Sequence, residues 1–161
     1  MRYLDSCTAY SVKKCEKIDL NSDNLTWKGL SDMRESRWSF NPCLFTEYVY
    51  ICGGNSRRIE AFSPETDNFL PISLLLPENS CACLYVHNNH LVVHSNNYLS
   101  KLSAGQAGQL VLHSQLSCTI TVYKGSSSHP VLDLTRGLCF LFWEDRCVCF
   151  RMETGVVQKF P

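Results

Sequence analysis

Apolar residues along this chain come in short runs of four to eight, separated by turn-forming residues. No window shows the 3.6-residue period of an amphipathic helix. The runs are rich in valine, isoleucine, aromatic residues and cysteine, which favour strands. The clearest runs are Tyr48–Cys52, Cys81–Val86, His90–His94, Cys118–Tyr123, Leu138–Trp143 and Arg146–Phe150. Short strands joined by tight turns predict an all-β sandwich, barrel or propeller with antiparallel pairing.

The strand pattern repeats along the chain. Leu20 recurs as Phe62 and Trp27 recurs as Phe69, each 42 residues later, and weaker copies follow near Leu102 and Phe150. Four short antiparallel strands in every 40 to 50 residues are typical of propeller blades. We therefore predict an all-β chain of antiparallel four-stranded blades, forming one partial propeller segment over residues 1–161. The predicted blades are residues 1–33 (partial), 36–78, 79–123 and 128–161, or about three and a half blades.

The second unit resembles one kelch repeat. That family's pattern is an aromatic-rich strand that ends on a glycine pair, followed by an aromatic–x–proline turn and a further aromatic residue. The residues that carry the resemblance are Trp27, Arg37, Gly53, Gly54, Phe62, Pro64 and Phe69. The glycine pair would allow positive φ where the strand ends tightly, and Pro64 would preset the turn between the outer strands. We expect Trp27 and Phe69 to fill the space between adjacent blades.

The resemblance extends over about residues 15–76. The third unit has His94-Ser95 in place of the glycine pair, so the later units rest on strand spacing. Because about three and a half blades cannot close a ring of four to eight, strand edges would stay open. We expect a fragment of a longer propeller, or edges covered by a partner or a second copy. The apolar segments Leu138–Trp143 and Cys147–Phe150 would then promote self-association.

Composition and charge restrict the class of protein. Hydrophobic residues make up 45% of the chain and charged residues 19%, the balance of a folded domain. The formal net charge is zero and no dense Lys/Arg cluster occurs, which argues against nucleic-acid binding. The N-terminal residues do not form a signal peptide and no run could span a bilayer. These observations predict a cytoplasmic protein without membrane contact.

Ten cysteines in a cytoplasmic protein are expected to be reduced and mostly buried. In an extracellular protein they would form up to five disulfides, the alternative we consider less consistent with the N-terminus. The pairs Cys81/Cys83 and Cys147/Cys149 are interpreted as core-packing residues, with a redox switch as the alternative.

No constellation in the sequence predicts catalysis. His87, His90 and His94 have spacing that a metal could use, but they are interpreted as turn and surface histidines. No nucleophile with its base and no phosphate-binding loop is evident. We expect no cofactor, no metal and no enzymatic activity. The alternative is a propeller enzyme similar to the copper radical oxidases, which use kelch-like propellers.

The kelch resemblance implies a non-catalytic adaptor or scaffold that binds protein partners. Such proteins bind the cytoskeleton or deliver substrates to ubiquitin ligases. The candidate partner-binding loop residues are Arg57, Arg58, Asn88, Asn89 and Arg136, with the two adjacent arginines suited to an acidic partner. A third reading is a degenerate repeat fragment without a function of its own.

Overall fold

A computed structural model describes residues 13–37, 40–54, 56–77, 83–95, 97–117, 131–133, 135–143, 146–154 and 156–158. These ranges form four antiparallel sheets. The first sheet contains β1 (Glu16–Ile18) and β2 (Trp27–Gly29). The second contains β3 (Phe40–Phe45), β4 (Tyr48–Gly53), β5 (Ser56–Ser63) and β6 (Asn68–Leu75). The third contains β7 (Cys83–His87), β8 (His90–His94), β9 (Tyr98–Ala104) and β10 (Leu110–Ser117). The fourth contains β11 (Val131–Asp133), β12 (Leu138–Trp143), β13 (Arg146–Arg151) and β14 (Val157–Gln158).

The strands of each four-stranded sheet lie side by side in chain order. β3 lies next to β7, and β6 lies next to β10, so inner strands meet inner strands and outer strands meet outer strands. Within the described ranges the helical structure is a single 3-10 turn, Gln106–Gly108. The predictions of an all-β chain and of antiparallel pairing are therefore confirmed.

Side-chain alternation gives the strands of the central sheets two buried faces. In β8, Leu91 and Val93 pack towards the second sheet, whereas Val92 packs towards the fourth. A strand buried on both faces needs apolar residues at successive positions. This explains why three successive apolar residues, Leu91, Val92 and Val93, occupy the middle of β8 without alternating with polar residues.

Three apolar clusters fill the spaces between neighbouring sheets. The cluster between the first and second sheets is Met33, Ile51 and Phe69. The cluster between the second and third includes Tyr50, Ile59, Leu91 and Leu102. The cluster between the third and fourth is Tyr85, Val92, Leu99, Cys139, Phe150 and Met152. Each sheet is thus stabilised chiefly by apolar burial against its neighbours.

Polar contacts also connect neighbouring sheets. Asp67, in the β5–β6 turn, forms ion pairs with Lys17 and Lys28 of the first sheet, and its carbonyl accepts a hydrogen bond from the Ser31 hydroxyl at 3.1 Å. The hydrogen bond from Lys17 and the nearby positive charges lower the pKa of the Asp67 carboxyl. The Tyr50 hydroxyl donates to the Gly108 carbonyl at 3.0 Å, and burial raises the pKa of Tyr50 to about 12.

One expectation about the later units is corrected. Cys149 and Phe150 are fully buried, so the apolar side chains of segment Cys147–Phe150 are not all exposed for self-association, and only Cys147 among these three residues is exposed. The β8–β9 connection passes through His94 and Ser95 with neither residue at positive φ. Strand spacing is therefore maintained without the glycine pair.

Candidate protein-binding surfaces

Three short turns join the two inner strands of the second, third and fourth sheets: Thr46–Glu47, Asn88–Asn89 and Thr135–Gly137. Because these sheets share one strand order, the three turns lie at the same end of neighbouring sheets. We call these residues the inner-turn surface. Asn88 and Asn89 are exposed at φ of 48° and 57°. Asparagine tolerates this left-handed conformation, which closes a two-residue hairpin.

Arg136 is held on this surface by its own turn. The Asp133 carboxylate accepts hydrogen bonds from the Thr135 hydroxyl at 2.6 Å and from the Arg136 backbone N–H at 3.1 Å. These hydrogen bonds, the hydroxyl bond first, lower the pKa of Asp133. The Arg136 side chain is 77% exposed and its Nε lies 3.8 Å from the Asp133 carboxylate. Its guanidinium therefore projects from a fixed backbone.

Arg57 and Arg58 lie in a different place from the other three candidate residues. They follow the β4–β5 connection, which is at the opposite end of the sheet from the inner turns. Arg57 Nε donates to the Leu76 carbonyl at 2.6 Å, and Arg58 Nε lies 3.1 Å from the Glu35 carboxylate. Both residues are exposed, as expected, but each is partly engaged within the chain. The structure therefore divides the predicted binding residues between two ends.

Arg37 has a buried partner that sequence reasoning missed. Its guanidinium, fully buried, bonds to Glu60 Oε1 at 3.0 and 3.1 Å, to the Gly53 carbonyl at 2.9 Å and to the Arg58 carbonyl at 2.8 Å. The backbone N–H of Arg34 donates to Glu60 Oε2 at 2.7 Å. The available signal was that Glu60 lies between the apolar residues Ile59 and Ala61 within β5. The network fixes the crossover from the first sheet to the second.

The remaining kelch-like residues have different environments. Gly53 and Gly54 have φ of 101° and 74°, which glycine adopts most readily. Phe62 and Phe69 rings pack 5.2 Å apart, and Phe69 is buried between the first two sheets. Pro64 lies in the exposed β5–β6 turn. Trp27 is 66% exposed, so the expectation that it fills the space between blades is wrong.

The histidines do not form a metal site in the described part of the chain. His87 and His90 flank the Asn88–Asn89 turn as expected, and the His90 ring lies 4.5 Å from the ring of His113, which sequence reasoning missed. His94 is buried and stacks on Phe150 at 4.4 Å, so it is not a surface histidine. No group of three His, Cys, Asp or Glu side chains among the described residues could hold a metal ion.

The cysteine pairs have mixed environments. Cys149 is buried but Cys147 is exposed, so the interpretation of this pair as two core residues holds for one member. Cys81 lies outside the described residues. Burial raises the pKa of Cys43 to about 11 and also raises the pKa of Cys149. These two thiols would therefore be weak nucleophiles at neutral pH.

No helix in the described ranges is long and apolar enough to cross a membrane. No protein-family model matches the sequence, and no curated protein matches it. Solved structures do match. The structure of YjhT has a TM-score of 0.67 at 11% identity, over 92% of this chain and 59% of YjhT. Hydrazine synthase from Kuenenia stuttgartiensis has a TM-score of 0.59 at 10% identity, over 91% of this chain and 42% of that chain.

The fold is that of a partial β-propeller. The chain spans less than two thirds of the length of either matched structure. The three complete sheets correspond to blades, and the two-stranded first sheet supplies two further strands beside them.

Proposed function

We propose that this chain is a non-catalytic, kelch-type propeller segment that binds protein partners in the cytoplasm. The observation that carries this proposal is the inner-turn surface. It presents exposed polar side chains on three short turns with fixed backbones, above sheets locked together by buried clusters. Surfaces that need little ordering on binding lose less conformational entropy when a partner docks.

The kelch part of the proposal is supported by local geometry in the second sheet. The positive φ of Gly53 and Gly54 occurs at the strand end where the resemblance requires it. Arg37 and Phe69 are buried at the junction with the first sheet, as residues that shape a repeat should be. The cytoplasmic location is supported by the free thiols of Cys139 and Cys149, which suit a reducing compartment.

A shared fold does not decide between binding and catalysis. Hydrazine synthase is by its name an enzyme, so the propeller fold itself is compatible with both. A function must be argued from a site. The described residues provide exposed turns suited to docking, and among them no group of three His, Cys, Asp or Glu side chains could hold a metal ion.

The test compares two variants that carry the same total change in formal charge. One combines Asn88→Asp, Asn89→Asp and Arg136→Glu on the inner-turn surface. The matched control combines Lys13→Glu, Gln115→Glu and Ser117→Asp, all at exposed positions away from it. Proximity labelling in cells, followed by binding measurements with the purified partner, should give a partner set that the control retains and the inner-turn variant loses. An inner-turn variant that keeps the full partner set would contradict the proposal.

A further inference from the structure

An open groove of about 350 Å³ lies beside the crossover segment on the second sheet. Its lining includes Arg34 and Glu35 of the crossover, Arg58 and Glu60 of β5, and Pro71 of β6. Its volume is at the small end of the range for ligand-binding clefts, which suits part of a peptide.

The groove forms where β5 and β6 change register. β5 advances by two residues between Arg58 and Glu60, while β6 advances by four between Pro71 and Leu75, so β6 arches away. The arch is held from the third sheet by Gln109. Its Nε2 donates to the Pro71 carbonyl at 2.7 Å, and its Oε1 accepts from the Ser73 backbone N–H at 3.3 Å. The groove is therefore a fixed feature of the sheet.

The charged residues around the groove form two groups: a buried ion pair with no net charge and a rim with a net positive charge. Glu60 is neutralised by Arg37 beneath the groove, at 3.0 Å. On the rim, Arg58 uses Nε to bind Glu35 at 3.1 Å, and its two terminal nitrogens have no ion pair with the described residues. Arg34 has its backbone fixed by Glu60, and its guanidinium makes no ion pair with the residues that the structure describes. The rim thus carries two positive charges and one negative charge.

We propose that this groove binds an extended acidic segment of a partner protein through one aspartate or glutamate carboxylate. The carboxylate would be held between the Arg34 and Arg58 guanidiniums, whose planar forks match carboxylate geometry. A single negative charge complements the net charge of the rim, whereas Glu35 disfavours a phosphate dianion. The exposed Pro71 ring offers an apolar contact to a neighbouring side chain of the segment. The site is separate from the inner-turn surface and stands whether or not that surface binds a partner.

The test measures fluorescence anisotropy with a labelled peptide that contains one glutamate flanked by leucines. The comparison peptide carries glutamine in place of that glutamate. We expect the full chain to bind the glutamate peptide at least about tenfold more tightly, because hydrogen bonds to a charged group of this kind contribute at least that factor. Arg34→Gln and Arg58→Gln should each weaken binding by about tenfold. Glu35→Gln should strengthen it, because Arg58 Nε and the positive charge of the rim are then free for the ligand.

Two controls separate this site from general charge effects and from the inner turns. Arg57→Gln removes a neighbouring exposed arginine that the groove does not include, and the inner-turn variant changes the opposite end; both should bind the glutamate peptide as the parent does. Arg34 has no side-chain partner among the described residues, so Arg34→Gln should fold normally. If Arg58→Gln does not fold, the binding measured with Arg34→Gln tests the proposal by itself. Equal binding of the two peptides, unchanged binding by Arg34→Gln, or acetate competing as well as the peptide at equal concentration would overturn the proposal.

Discussion

The Arg37–Glu60 pair connects three separate segments through one guanidinium. Arg37 belongs to the crossover, the Gly53 carbonyl ends β4, and Glu60 lies within β5. Removing two charges from water is costly, and a buried pair is stable only when its hydrogen bonds are satisfied. Here both carboxylate oxygens of Glu60 accept hydrogen bonds. The pair therefore fixes how the crossover joins the second sheet and adds little net stability by itself.

Breaking this pair on one side should strongly destabilise the fold. We expect Arg37→Leu to lower the free energy of unfolding by about 3–5 kcal/mol, because it leaves Glu60 charged and buried. Arg58→Gln is the matched control, because it breaks only the exposed ion pair with Glu35 and should cost no more than about 1 kcal/mol. Urea unfolding of both variants measures the difference. Equal losses would show that the buried pair has no special role.

The buried imidazole of His94 should make stability depend on pH. Burial lowers the pKa of His94 from 6.5 to about 4. Between these values the unfolded chain binds more protons than the folded chain, so stability falls as the pH decreases through this window. The expected slope is up to about 1.4 kcal/mol per pH unit. Above the window His94 is neutral in both states and contributes no pH dependence.

Unfolding measurements at pH 5 and pH 7 test this, because most carboxylates stay ionised over that range. His94→Leu should reduce the loss of stability between the two pH values, whatever its effect on stability at pH 7. Leu91→Ala is the control, since Leu91 is fully buried in the same strand but carries no titratable group, so its variant should keep the parent's pH dependence. A His94→Leu variant with the same loss as the parent would contradict the assignment.

At the residue scale, the sequence predicted positions with a strong local signal and missed those defined by a partner. Arg37 and Phe69 stood out because they fit a repeat. Glu60 was missed because nothing in the sequence shows that Arg37 folds back onto its strand. The groove beside Arg34 was missed for a similar reason, since a change of register between β5 and β6 leaves no mark in composition.

At the scale of elements, the positions of the strands were predictable from the sequence, but which of their side chains are buried by neighbouring segments was not. The turns at Asn88–Asn89 and the runs on either side fix a hairpin from local residues alone. The exposure of Trp27, by contrast, depends on what lies against the outer strands of the first sheet. Cys147 and Cys149 lie on the same face of β13, so the exposure of one and the burial of the other depend on what packs against each position along the strand.

The end of β4 gives an element-scale prediction. Gly53 has φ of 101°, whereas Gly105 is not at positive φ and its backbone N–H bonds to the Gln109 carbonyl at 2.8 Å. We expect Gly53→Val to cost about 1–3 kcal/mol in stability, because valine is strained at that φ. Gly105→Val should cost less, although a Cβ there would lie 3.2 Å from the Gln109 carbonyl oxygen. Equal shifts in thermal unfolding would contradict the proposed role of the glycine pair.

At the scale of the whole molecule, each sheet is stabilised by its contacts with the neighbouring sheets. Two of the three clusters join neighbouring sheets, and the third joins the second sheet to Met33 of the crossover, so the second and third sheets are covered on both faces. The first sheet contacts the second through the Asp67 ion pairs, but apolar side chains of β2 and of the β1–β2 connection face solvent. The net charge of zero provides little electrostatic repulsion between copies.

These exposed side chains predict that the 161-residue chain, expressed by itself, self-associates. Leu20, Leu25 and Trp27 are 78%, 60% and 66% exposed. Apolar patches of this kind promote association, and among the described residues the first sheet has only two strands, whose edges are open for pairing. We expect dimers or larger species at micromolar concentration. The combined Leu25→Ser and Trp27→Ser variant should shift the population towards monomer. Association of this variant no longer buries the two apolar side chains, so it loses their hydrophobic free energy.

Light scattering during size-exclusion chromatography measures this directly against the 18.3 kDa mass of one chain. The control variant combines Leu75→Ser and Leu116→Ser, which removes comparably exposed leucines from the outer strands of the second and third sheets. If association occurs through the first sheet, the control should associate as the parent does, while the Leu25/Trp27 variant should not. A parent chain that elutes as a stable monomer at all micromolar concentrations would show that these side chains are covered or tolerated within one chain, and the prediction would then be wrong.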